Sequence, residues 1–250
     1  MGIGRIPVVL CPPQFLCRVL GWLRSAHGVA GWPAGLRLFV ALLAVGGSLL
    51  LCGTATLAWD APTVLNRALK MGGQVPVRAQ ALVAEIADVS GQDEDAKLKA
   101  INTFFNRRVV YRDDVDTWGQ VDYWATPLEL LAKGQGDCED YAIAKYFSLM
   151  PSGVSGAKMR LVYVRAQLGS QVQAHMVLAY YPTPNAEPLI LDNLVTDIRP
   201  ASRRPDLVPV FSFSAEGLWQ GVGSTSAGDP AARLSRWRDV LGKVKAEGWW

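Results

Sequence analysis

Gly134-Gln-Gly-Asp-Cys-Glu-Asp-Tyr-Ala-Ile-Ala-Lys-Tyr-Phe-Ser-Leu-Met150 is the stretch on which the rest of the chain turns. Gly134 lies where a preceding helix should stop, and a new helix opens with Asp137 as N-cap, Cys138 at N1 and Asp140 at N3. Ala142, Ile143, Tyr146 and Phe147 then turn inward. Cys138 is thereby expected on the first turn of a buried helix. The unpaired N–H groups and positive dipole end there favour thiolate over thiol, which predicts a cysteine pKa lowered toward neutrality. The same N–H groups can hold an oxyanion, and Gly136 leaves room for a substrate backbone to approach.

Working outward, Thr126-Pro127-Leu128-Glu129 reads as a capping box with proline at N1. Asp60-Ala61-Pro62 opens an earlier helix, and Val77–Val89 continues at helical spacing. A third runs from Asp93 to about Arg108, with Leu98, Ile101, Phe104 and Phe105 on one face. Residues 111–123 hold Asp113, Asp114, Asp116 and Asp122 and read as an acidic loop. Downstream, strand-like runs begin at Met159, Gln173 and Pro188, separated by turn residues. In the second run His175 shares a face with Val177 and Ala179; in the third Asp192 follows Leu189-Ile190-Leu191. Adjacent antiparallel strands can bring that carboxylate to that imidazole. Phe211 and Phe213 suggest one more strand, and residues 221–228 read as a loop. Asp229-Pro230 then caps a C-terminal helix whose Leu234, Trp237, Leu241 and Val244 dock onto the domain. Helices followed by a strand meander make the fold class α+β.

The chain has 250 residues, half of them apolar, with 25 Lys+Arg against 22 Asp+Glu. It is too hydrophobic for disorder and long enough for one compact domain with an appendage. Arg5, Arg18, Arg24 and Arg37 all precede the first acid, Asp60, so the remainder is close to neutral. No basic patch is left to suggest nucleic acid as a partner. Leu38 to Trp59 carries no charge and follows Arg37 directly, the order of an export signal. The run is also long enough for an uncleaved anchor. Either device divides the chain into residues 1–59, signal or anchor, and a domain over residues 60–250, which it sends across the inner membrane into the periplasm.

Cys11, Cys17, Cys52 and His27 belong to the leader, which leaves the domain with one cysteine, Cys138, and one histidine, His175. That excludes a Cys/His zinc site. A lone thiol in an oxidising compartment is a liability unless it reacts. In chain order Cys138, His175 and Asp192 form the sequence of a nucleophile, a base and a base-orienting acid. Trp124 is a candidate to line the cleft or donate its indole N–H to the oxyanion.

Trp124–Glu129 (W-A-T-P-x-E), Gly134–Ala142 (G-x-G-D-C-E-D-Y-A), the A-H-M-V-L strand at Ala174–Leu178 and L-D-N-L at Leu191–Leu194 resemble the bacterial transglutaminase-like cysteine proteinases. Within that family, they resemble the LapG-type periplasmic proteases. The resemblance implies a papain-like, transglutaminase-like core with the Cys-bearing helix packed on an antiparallel sheet. It implies a Cys138–His175–Asp192 triad, a Ca²⁺ requirement met by Asp137, Glu139 and Asp140, to which the acidic loop at 113–122 could add oxygen ligands, and cleavage of a large surface adhesin next to a pair of alanines, dispersing biofilm. It further implies control by an inner-membrane cyclic di-GMP receptor. The same triad can pass an acyl group to an amine instead of water, and a periplasmic binding protein without catalysis is a third possibility.

Overall fold

The computed structural model describes residues 59–250, apart from Ser224. The expected signal or anchor over residues 1–59 lies, but for Trp59, outside the described residues. No helix among the described residues is long and apolar enough to cross a membrane.

The capping signals act where the sequence places them. Helix α1 (Ala61–Met71) starts on Asp60, whose carboxylate accepts from the Thr63 amide. After α2 (Val75–Val89), α3 (Glu94–Arg108) starts on Asp93, which accepts from the Ala96 amide at 2.8 Å. Residues 111–123 are not the continuous loop expected. Their start completes β1 (Val110–Tyr111), and they fold a short helix, α4 (Asp114–Trp118), that turns Asp114 inward. The Tyr123 amide donates to the Asp114 carboxylate and holds it inside.

Thr126 and Glu129 make both bonds of the capping box at α5 (Pro127–Lys133), and Gly134 stops that helix in the left-handed region at φ 67°. Strand β2 (Gln135–Gly136) pairs in parallel with β1 and leads into α6 (Cys138–Leu149). Every residue of α6 from Asp140 to Leu149 is buried, not only the one face expected. The reason is its position: α3 and α5 cover it on one side and the sheet on the other.

Strands β3 (Met159–Leu168) and β4 (Gln171–Tyr180) form a hairpin around Gly169, whose φ of 60° makes the tight turn. With β5 (Leu189–Leu191), β6 (Arg199–Pro200), β7 (Leu207–Phe213), β8 (Leu218–Gln220) and β9 (Ser226–Gly228) they build an antiparallel sheet in the order β6-β5-β4-β3-β7-β8-β9. Residues 221–228 are thus partly strand, because β9 pairs with β8 and closes the sheet edge. The period of two sorts side chains between two cores. Leu161, Met176, Leu178, Tyr180 and Phe213 meet the helices, while Val162, Val164, Val177, Ala179 and Ile190 form a second apolar cluster. The architecture is α+β.

The C-terminal helix is broken in two. Asp229 caps α7 (Pro230–Arg233), Leu234 is extended at φ −114°, and α8 (Ser235–Glu247) restarts after it. Its buried face is Trp237, Val240 and Val244, with Leu241 only half-buried. Trp237 packs on Phe147 and Phe213 with ring centroids 5.6 and 5.2 Å away, and its indole donates to the Ser214 carbonyl at 3.2 Å.

Trp237 therefore joins α8, α6 and β7, and its loss should be felt as a core defect. Trp237→Ala is expected to cost about 3–5 kcal/mol in urea unfolding. Trp237→Phe keeps most of the packing and loses the hydrogen bond, a cost nearer about 1 kcal/mol. Equal losses for the two variants would disprove this account.

Candidate active site

His175 and Asp192 are both buried, and His175 Nε2 lies 2.8 Å from Asp192 Oδ1. The sheet register makes the meeting: β5 pairs Leu191 with Leu178, so Asp192, the next residue, leaves the strand beside the His175 segment of β4. Asp192 Oδ1 also accepts from the amides of Asn193 at 2.7 Å and Leu194 at 3.1 Å. Its Oδ2 accepts from Arg204 Nη2 at 2.7 Å, and Arg204 is itself paired with Asp206. Burial alone would raise the Asp192 carboxyl, but the bond and charge of His175 and the bond from Arg204 outweigh it and hold the group at about 2. An ionised carboxylate only accepts, so Nε2 carries a proton toward Asp192 whether the ring is neutral or charged, and in the neutral tautomer Nδ1 is the acceptor.

Cys138 opens α6 as expected, and α6 packs against β4, the strand that carries His175. The thiol donates to Glu139 Oε2 at 3.0 Å. The expected lowering of its pKa is reversed. Burial pushes the thiol up, the charge and hydrogen bond of Glu139 and the charge of Asp137 push it further, and the Met176 amide only partly opposes them. The helix dipole is outmatched by carboxylates at closer range. Asp137 occupies the N-cap position, yet its side chain makes no capping hydrogen bond.

That side chain belongs to an acidic cluster. Carboxylate oxygens of Asp114, Asp137 and Asp140 lie within 4.8 Å of one another, and those of Asp114, Asp122 and Glu139 form a second such group. Asp140 is 0% and Asp114 3% exposed. Asp114 Oδ1, Asp122 Oδ1, Asp137 Oδ1 and Asp140 Oδ2 are buried without a hydrogen-bond partner among the described residues. Burial, then mutual repulsion, raises Asp137 to about 10. Burial foremost raises Asp114 to about 6 and Asp140 well above the usual carboxylate range. Convergent, unpaired hard oxygens suit a divalent cation that prefers oxygen ligands, and Ca²⁺ fits this donor set. Glu139, expected beside Asp137 and Asp140, reaches the cluster through Asp114 and Asp122.

Gly136 serves packing. A Cβ there would meet the Asp140 carboxylate and come within 2.7 Å of Leu130 Cδ1, so the close approach is to the acidic cluster, where a substrate backbone was expected. Trp124 stacks on Phe213 with centroids 5.6 Å apart and packs against the main core. Arg204, Lys145 and Asn106 were not singled out by sequence. Only Lys145 carried a signal there, as the one charge between Asp140 and Lys158.

The sequence model of the bacterial transglutaminase-like cysteine proteinases (BTLCP) matches residues 79–222. No curated protein matches the chain by sequence. Among solved structures, EGTA-treated Legionella pneumophila LapG is 38% identical, covering 74% of this chain and 98% of its own, with a TM-score of 0.67. The calcium-bound form of Legionella pneumophila LapG matches at the same identity and share of this chain, over 99% of its own length, with a TM-score of 0.64.

The depressed Asp192 carboxyl has a consequence for acid stability. Its unfolded value is near 3.8 and its folded value about 2, so the native state binds fewer protons between them. The contribution, about 2 kcal/mol, is present above the unfolded value and lost as pH falls through the folded one. Asp192→Asn removes it. The stability gap between wild type and Asp192→Asn, from urea midpoints, should therefore narrow as pH drops from 5 toward 2. A gap that stays constant over that range would show that Asp192 does not titrate as described.

Proposed function

The chain belongs to the bacterial transglutaminase-like cysteine proteinases, and on that footing we propose that it is a calcium-dependent periplasmic endopeptidase with Cys138 as nucleophile. The observation that carries the reading is the buried His175–Asp192 pair, held at 2.8 Å beside the strand against which the Cys138 helix packs.

In this reading His175 Nδ1 takes the thiol proton, and Asp192 steadies the imidazolium that forms. The sulfur attacks the scissile carbonyl carbon, and the oxyanion that develops is met by amides at the start of α6. As the C–N bond breaks, His175 returns the proton to the leaving amine and a thioester remains. Water, deprotonated by the same imidazole, hydrolyses it. Asp114, Asp137 and Asp140, with Asp122 and Glu139 beside them, are the residues that would hold Ca²⁺. Bound there, the ion supplies the positive charge that offsets the carboxylates now disfavouring the thiolate. The calcium-bound relative supports this choice of ion.

The proposed substrate is the N-terminal region of a large surface adhesin, cut next to a pair of alanines, so that the adhesin is released and biofilm disperses. An inner-membrane cyclic di-GMP receptor is the proposed regulator, and residues 1–59 the proposed signal or anchor.

Purified protein should make one discrete cut in the N-terminal portion of the host's large adhesin. Cys138→Ala should lower that rate by at least about 10⁴-fold. Chelation should stop cleavage, and Ca²⁺ should restore it better than Mg²⁺, which demands a smaller octahedral site. Full activity in excess chelator would remove calcium from the account. Incorporation of an added amine in preference to water would make the chain an acyl transferase, and cleavage undiminished in Cys138→Ala would overturn the nucleophile.

A further inference from the structure

The mechanism above gives no role to the buried Lys145. Lys145 is 1% exposed and lies in the middle of α6, among Ala142, Ile143, Ala144, Tyr146 and Phe147. It comes seven residues after Cys138, so helical geometry puts both on nearly the same side, about 10 Å apart along the axis. Its ammonium donates to the Asp192 backbone carbonyl at 3.1 Å. Asn106 Nδ2, from α3, donates to the same carbonyl at 2.8 Å.

Two helices thus grip the main chain of the residue whose carboxylate holds His175. Asp192 sits where β5 has ended, so no ladder bond fixes its carbonyl, and these side chains take the place of a strand neighbour. Burial pulls the Lys145 ammonium down to about 7, with the charge of Asp192 acting the other way. Its other close neighbour is the Tyr141 ring, 5.7 Å from Nζ. A buried cation with so few partners is a poor way to stabilise a core, since an apolar side chain of the same length often does as well or better.

We propose that Lys145 is a positioning residue, a strut that ties the Cys138 helix to the Asp192 segment and so sets how the imidazole–carboxylate pair meets the nucleophile. The proposal rests on the assignment of Cys138, His175 and Asp192 as the reacting groups. It separates stability from catalysis: a methionine, one atom shorter, fills most of the same space and loses the ammonium with its bond. A displacement of the catalytic pair by a fraction of an ångström lowers turnover without changing how substrate binds.

The test is Lys145→Met in the full chain beside Lys145→Gln, which keeps an N–H donor on a side chain one bond shorter. Lys145→Met should unfold in urea at or above the wild-type midpoint, with kcat for the adhesin fragment down about 10- to 100-fold and KM within about twofold. Lys145→Gln should fall between the two. The His175 Nε2 proton, assigned by its loss in His175→Ala, should shift upfield and exchange faster in Lys145→Met. Wild-type kcat with an unchanged His175 signal would overturn the proposal, whatever happens to the midpoint. Should Lys145→Met fail to fold, the lysine is structural in the sense denied here, and the proposal falls unless Lys145→Gln folds with the loss of kcat and the altered His175 signal. If wild type cuts no adhesin, the proposed function fails, while the His175 signal still decides whether Lys145 positions the pair.

Discussion

A carboxylate taken out of water keeps its charge only where donors replace the water it has lost. At Asp192 the replacement is thorough. Imidazole, two consecutive amides and a guanidinium converge on its two carboxylate oxygens, and an ammonium and a carboxamide hold its carbonyl. Those donors arrive from β4, α3, α6 and the connection that runs from β5 to β7. The elements must therefore be assembled correctly for the charge to survive. The same convergence aligns His175, so the packing that makes the fold tolerable also holds the imidazole in one orientation.

Cys138 lives under the opposite condition. Its surroundings put negative charge near a group that reacts only as an anion, and the dipole of α6 does not compensate. Asp114, Asp137 and Asp140 share the problem, as oxygens that are buried, mutually repelling and unpaired. One divalent ion would relieve both strains together. The protein thus holds two electrostatic centres of contrasting design. One is neutralised by the chain's own cations, and the other has acids in excess of them.

What the sequence made legible was whatever depends on neighbours a few residues away. The capping box at Thr126 and Glu129, the stop at Gly134, the cap at Asp93 and the helix opening at Cys138 are all of this kind. The period-two strand bearing His175 and the apolar run ending at Asp192 were legible too, and so was their pairing in principle. Arg204, Lys145 and Asn106 were not, because they reach Asp192 across 12, 47 and 86 residues and nothing local marks their partner. The acidic segment was legible as a source of further oxygen ligands, but not which of its acids would serve, because only the tertiary fold turns Asp114 toward Asp137 and Asp140. At the C-terminus the periodicity was right about docking, but Leu234 breaks the helix in a way that no proline or glycine announces.

Gly136 carries a consequence for how such a sequence can change over time. A Cβ at that position would collide with the Asp140 carboxylate and with Leu130. The glycine and the aspartate four residues later therefore form one unit of inheritance. A lineage that acquired any side chain at 136 would have to move the carboxylate, and one that shortened residue 140 would free 136 to drift. The compact motif around Cys138 looks like a record of chemistry, yet part of it is a record of volume. Its glycine is set by the shape of an acid, and would be so even if no substrate ever reached the thiol.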